Sequence, residues 1–292
     1  MPYLLLAAAT LAATGKALFC KFAGSAGGRA AFFVNFKSFS VAFLVALIFA
    51  MDELDKIFEI SLFSLILSAV FGFFVAFTQF SQMKAMNSGP ASLTMLIYSS
   101  AFVIPIIYAF FAWKESISLW QIIGIIILII SIALIVVEPS GSKINFLWLI
   151  FIAAATFGSG ANAIIQKTHQ MSEFKFELKL FLVLALMFSA LFSLIVYLLY
   201  KPSVEKKEKA RKKSLLEELY PIFLGIAVGC LNFFNLMLAG LLPAVIQFPI
   251  YNVGSLILTS VFSLIVFKEK IDKRRIIGYI TGVAAILIIG IL

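Results

Sequence analysis

Histidine occurs once in this chain of 292 residues, cysteine twice, and acidic residues only 14 times. Each scarcity removes a class of function. The lone His169 cannot complete a zinc site or a Ser-His-Asp triad with its neighbours. Cys20 and Cys230 both fall inside apolar segments without ligand-like neighbours, so they read as small buried thiols rather than a disulfide or metal pair. No apolar segment carries Asp or Glu in its interior, since Glu115, Glu138 and Glu269 all fall at segment ends. A cation exporter driven by a membrane-embedded carboxylate therefore has no residue to use. No G-x-x-x-x-G-K-[ST] loop occurs, so ATP-driven transport would need a partner. Without clustered carboxylates, His or Cys, the chain is expected to be neither an enzyme nor a carrier of metal or cofactor.

What is abundant is apolar surface. Hydrophobic residues make up 63% of the chain and charged ones 13%, with a mean hydropathy of +1.10. Soluble domains sit nearer 45–50% and about 25%, so the chain is expected to be an all-α integral membrane protein among lipids. A crossing helix needs about 20 apolar residues. Segments of that length fall at 2–22, 30–50, 60–84, 90–112, 117–137, 145–167, 179–200, 219–239, 243–267 and 274–292. The first lacks the basic start of a signal peptide and has Lys16 where a cleavage site would fall, so it is expected to stay as a helix. Connections are short except for the polar stretch Lys201 to Leu219. In such a chain the net charge of +9 reports topology before nucleic acid, and no nucleic-acid partner is expected.

The segments repeat. Gly72, Gln79, Gln82, Pro90 and Tyr98 recur as Gly225, Asn232, Asn235, Pro243 and Tyr251 at an offset of 153. Lys114-Glu115 and Gly124 recur as Lys268-Glu269 and Gly278 at an offset of 154. Thr10 and Lys21 match Thr156 and Lys167 at an offset of 146. The chain therefore divides into residues 1–139 and 140–292, each a five-helix unit. Five is odd, so the second unit enters the membrane inverted, which is the plan of many secondary transporters with a midplane site between repeats. Sixteen basic residues lie near segment ends on one side and five on the other. The richer side is expected to be cytoplasmic, leaving both termini outside.

The stretch from Met83 to Val137 resembles the third, fourth and fifth helices of EamA-like proteins, in the drug/metabolite transporter superfamily. Small residues at Ala85 and Ala91, the mid-helix Pro105, then Glu115, Gln121 and Gly124 carry the likeness. Gly15, Lys21 and Lys37 are similar to the family's first two helices, although an arginine is commoner at the Lys37 position. Pro243, Glu269 and Gly278 extend the resemblance to the second half. It implies a ten-helix basket with a central cavity and alternating access, but no particular substrate. Members often have cytoplasmic termini, which is in tension with the charge count.

Polar groups in apolar helices either face a cavity or join helices. Candidates for the cavity are Asn35, Gln79, Gln82, Thr94, Tyr98, Asn162, Gln166, Asn232, Asn235, Gln247, Tyr251 and Asn252. Lys16 and Lys37 lie roughly 9–11 Å inside helices 1 and 2 at 1.5 Å per residue. They either snorkel to headgroups or attract an anionic, carboxylate-bearing substrate. Pro105 and Pro249 are expected to interrupt helices 4 and 9. The GxxxG pairs Gly225/Gly229 and Gly278/Gly282 allow close helix packing, inside a monomer or between copies in a homodimer. The expected function is secondary transport of a small organic metabolite across a prokaryotic cytoplasmic (inner) membrane. The alternatives are a broad-specificity exporter of neutral or amphipathic compounds and a non-transporting receptor or scaffold.

Overall fold

The structure is a computed structural model that describes residues 2–23, 28–88, 94, 97–136, 145–199, 215–267 and 273–291. Among these residues every regular element is helical. The α-helices are α1 (Pro2–Ala23), α2 (Gly28–Phe49), α3 (Leu62–Ser88), α4 (Val103–Ala112), α5 (Leu119–Val136), α6 (Phe146–Gln170), α7 (Leu178–Leu199), α8 (Leu215–Ala239), α9 (Ala244–Phe267) and α10 (Lys273–Ile291). Six of them, α1, α2, α3, α6, α7 and α8, contain spans long and apolar enough to cross a membrane. Shorter apolar helices occupy Ile97–Ala112, Leu119–Ile135 and Ala244–Thr259.

Polar residues at the ends set the boundaries. Ser118 and Gln121 form a capping box on α5: the Ser118 hydroxyl accepts from the Gln121 N–H, and the Gln121 side chain accepts from the Ser118 N–H. Asn145 caps α6 by accepting from the Trp148 N–H. α8 begins at Leu215, earlier than expected, because Leu-Leu-Glu-Glu-Leu are helix formers that extend the apolar run.

The two prolines behave differently. Pro105 has no N–H for the carbonyl of Ala101, and the chain there is a 3-10 turn, Ser100–Phe102, before α4 begins. Pro249 does not interrupt α9, contrary to expectation: the helix runs unbroken from Ala244 to Phe267. Pro249 lies within the first two turns, where the one hydrogen bond it removes leaves the rest of the ladder intact. Of the expected fourth span, residues 90–93 and 95–96 lie outside the described residues, as do Lys268-Glu269 and most of the Lys201–Leu219 stretch.

The helix pairings have a counterpart when each helix is exchanged with the one five later. α1 packs on α8 and α6 on α3; α2 packs on α8 and α7 on α3; α1 packs on α9 and α6 on α4; α2 pairs with α7 and α5 with α10. Glycines show the direction of the last pair. A Cβ on Gly124 would fall 2.6 Å from Ile289 Cγ1, and one on Gly278 2.8 Å from Ile135 Cγ1. The start of each helix thus meets the end of the other, so α5 and α10 are antiparallel.

Among the described residues two large apolar clusters result, beside two smaller ones. One joins α2, α3, α7 and α8 around Phe39, Phe71, Phe181 and Leu224. The other joins α4, α5, α9 and α10 around Phe102, Leu128, Phe248 and Ile289. α1 and α6 run between them, which leaves a seam lined by elements from both halves of the chain.

Candidate transport seam

The seam is polar because apolar helices bring amides into it at helical spacing. On α2 and α3, the buried Gln79 donates its Nε2 to Asn35 Oδ1 at 2.6 Å. On α6 and α8, Gln166 donates to Asn232 Oδ1 at 3.2 Å, while Asn232 donates to the Val228 carbonyl of its own helix. Asn162 on α6 donates to Thr78 on α3 at 3.3 Å. Thr94, fully buried, accepts from the indole N–H of Trp148 at 2.8 Å. Gln247 on α9 donates to the backbone carbonyl of Asn235 at 2.8 Å, and Asn252 donates to the Phe248 carbonyl. The Tyr251 hydroxyl faces the side-chain amides of Asn235 and Asn252.

Most of the expected cavity residues therefore join helices to one another. Three acceptors are left over: Asn162 Oδ1, Asn235 Oδ1 and Gln247 Oε1 are buried with no hydrogen-bond partner among the described residues. Beside them, Ala101 and Pro105, Ser159 and Ala163, and Tyr251 and Asn252 surround a recess too tight for a water molecule. The seam is closed here. Gln82 and Tyr98 are half-buried, and Tyr98 packs near Trp148 and Ile152.

The two lysines part company. Lys16 is half-buried on α1, close to Cys20. Lys37 is exposed on the outer face of α2, its Nζ 4.8 Å from the centre of the Phe33 ring. It points away from Asn35 and the seam. The GxxxG pairs face inward: Gly225 and Gly229 approach Val41 and Val45 of α2, and Gly278 and Gly282 approach Ile135 and Ser131 of α5.

At the membrane face where α4, α6 and α8 end, the structure brings charged and polar groups together. Glu115 Oε1 lies 2.5 Å from Lys167 Nζ, whose side chain is 4% exposed. Glu115 Oε2 accepts from the Ala244 N–H at 2.8 Å, and Lys167 donates to the Leu242 carbonyl at 2.9 Å. Nearby, Glu177 accepts from the N–H and hydroxyl of Ser61, and His169 sits between Ser64 and Gln170. Lys179 pairs with Asp52 and Glu53 in the α2–α3 loop, and its hydrogen bond holds the Asp52 carboxyl below the usual carboxylate range. The repeat of Lys114-Glu115 at Lys268-Glu269 and of Lys167 at Lys21 was the available signal. Spacing alone did not reveal that Glu115 and Lys167 meet.

Comparison with known proteins agrees with the helical plan. Residues 1–137 match the model of the EamA-like transporter family. An uncharacterised protein of Haemophilus influenzae is 28% identical over 193 residues, which cover 63% of this chain and 60% of that protein. A solved crystal structure superposes with a TM-score of 0.77 at 12% identity, covering 98% of this chain and 95% of the other, a likeness of fold.

Proposed function

Because residues 1–137 are an EamA-like transporter sequence of the drug/metabolite transporter superfamily, we propose that the whole chain is a secondary transporter. It moves a small organic metabolite by alternating access through the seam. The two five-helix units, residues 1–139 and 140–292, act as inverted repeats in a prokaryotic cytoplasmic membrane, as monomer or homodimer. The observation that carries this reading is the exchange pattern of the helix pairings, with α5 and α10 antiparallel and glycines at matched contacts. Parity of five helices explains both.

The seam's chemistry narrows the solute. Its polar groups are neutral amides, hydroxyls and a phenol, with unused carbonyl acceptors on Asn162, Asn235 and Gln247. Those acceptors suit a solute that donates hydrogen bonds. Among the described side chains of α1 and α2, Lys16 is the cation placed to draw a carboxylate, since Lys37 faces outward. The neutral lining supports the second reading, export of neutral or amphipathic compounds, and a Lys16→Ala variant separates the two: only a carboxylate solute loses affinity.

A thermal-shift screen of the purified protein against amino acids, organic acids, sugars and nucleotides tests the proposal, because a ligand specific to the folded state stabilises it by mass action. At about 100 times its Kd a solute contributes about 2.7 kcal/mol, a rise in Tm of a few degrees for a chain this size. The same solute should then enter liposomes carrying the protein. A solute that binds but is never taken up would favour a receptor instead.

A further inference from the structure

We propose that Glu115 is a latch that closes the seam at the membrane face where α4 ends, and that its release from Lys167 and Ala244 opens the seam to that face. The inference rests on the alternating-access reading and adds which contact must break.

Three elements, α4, α6 and α9, meet at this one carboxylate. α4 ends in a left-handed turn at Lys114, with φ of 55°, where the N–H groups of Trp113 and Glu115 both return to the Ala109 carbonyl. A left-handed lysine is a strained residue, of the kind that persists where surrounding contacts hold it. The turn aims Glu115 inward, where Oε1 meets Lys167 near the end of α6 and Oε2 accepts the first N–H of α9. Ala244 opens a 24-residue helix, whose positive end favours a carboxylate. Lys167 is held in turn by the Leu242 carbonyl and by the face of Trp113, 5.6 Å from the ring centre.

Its position separates this contact from the other polar ties on the same face. Lys179 with Asp52 and Glu53, and Glu177 with Ser61, join α7 to α2 and α3 within a single apolar cluster. Trp113, Ile117 and Ala244 belong to the other cluster, whereas α6 runs between the two, placing Ile165 in the first and Ala163 in the second while packing chiefly on α3. The Glu115–Lys167 pair therefore ties the end of α4 and the start of α9 to α6 at the seam. Drawing α4 and α9 away from α6 at this face must break it, while the remaining ties can move as part of one body.

Charge suits a reversible closure. An apolar contact torn open at the membrane face exposes its surface to water without compensation. Two ions released there are hydrated, which offsets the attraction they lose. A buried ion pair adds little net stability over an apolar substitute, so its use at this junction fits a contact that is made and broken.

The experiment uses the full chain in oriented vesicles, with Cys20 and Cys230 replaced by serine and a reporter cysteine at Ser159 in the recess. A second protein carrying Lys114→Cys, at an exposed position, identifies the latch face in each preparation. Glu115→Gln keeps the shape and removes the charge, and Lys167→Met is the independent second variant. Both should raise labelling of the Ser159 reporter by a membrane-impermeant maleimide from the latch face about tenfold, as for a minor state of roughly 10% becoming the major one, and lower it from the opposite face. Labelling equal to the parent in both variants overturns the latch. A rise from both faces alike also overturns it, since that reports loosening rather than opening. A parent reporter that reacts from neither face overturns alternating access itself, and the latch with it.

Discussion

Asn35 and Lys37 stand two residues apart on α2, about 200° around the helix, and only one of them can face inward. The structure turns Asn35 to the seam and Lys37 to the lipid side. That the two diverge was available in the spacing; which of them faces inward was not. What spacing could not supply was the partner, because a polar residue in an apolar run announces a need for hydrogen bonds without naming what meets it. Asn35 and Gln79 meet each other at 2.6 Å. A double-mutant cycle with Asn35→Ala and Gln79→Ala, read by thermal unfolding in detergent, should give a coupling of about 0.6 kcal/mol, the mean for such bonds in membrane helices. Asn35→Ala alone should cost more, roughly 1–3 kcal/mol, because it strands the Gln79 amide in a buried site. An uncoupled pair would place both side chains in an open cavity instead.

Helices in lipid pack by fitting surfaces together, since the hydrophobic effect that drives soluble cores is already satisfied. Gly72 and Gly225 share the 153-residue offset, and both sit at close helix approaches. A Cβ on Gly72 would lie 2.6 Å from the Ala185 carbonyl and 2.7 Å from Phe188 Cβ, and one on Gly225 2.6 Å from Val41 Cβ. Backbone atoms cannot step aside as a side-chain tip can. Gly72→Ala and Gly225→Ala should each therefore lose about 1–3 kcal/mol of stability by overpacking. Gly15 is the contrast: its added methyl would rest 3.6 Å from Ala227 Cβ, an ordinary contact. Gly15→Ala should be neutral or gain about 0.5–1 kcal/mol from helix propensity. Guanidinium-free thermal melts of the three variants, run side by side, check the order. The glycines were visible as a repeated pattern, and so were most helix ends. The continuity of α9 through Pro249 was not, because a proline's effect depends on where the helix start falls.

On the expected ten-span topology, sixteen basic residues lie near helix ends on one side of the molecule and five on the other. On the poorer side several lysines are spoken for, Lys167 by Glu115 and Lys179 by Asp52 and Glu53. The side bearing Lys114 is the one poorer in Lys and Arg, so it should face outward. In intact cells a Lys114→Cys variant should react with an impermeant maleimide, and a Lys206→Cys variant should react only after lysis; the reverse pattern would turn the molecule over. The sequence by itself determined that this is a helical membrane protein and about where its helices begin and end. Those properties follow from run length and periodicity, which are local or additive along the chain. Only the tertiary structure decided which amides pair, which lysine faces lipid, and that Glu115 closes onto Lys167 and Ala244 from more than fifty positions away in sequence. Such contacts depend on the rotation of each helix about its axis and on which neighbour it meets, and no one segment contains that information.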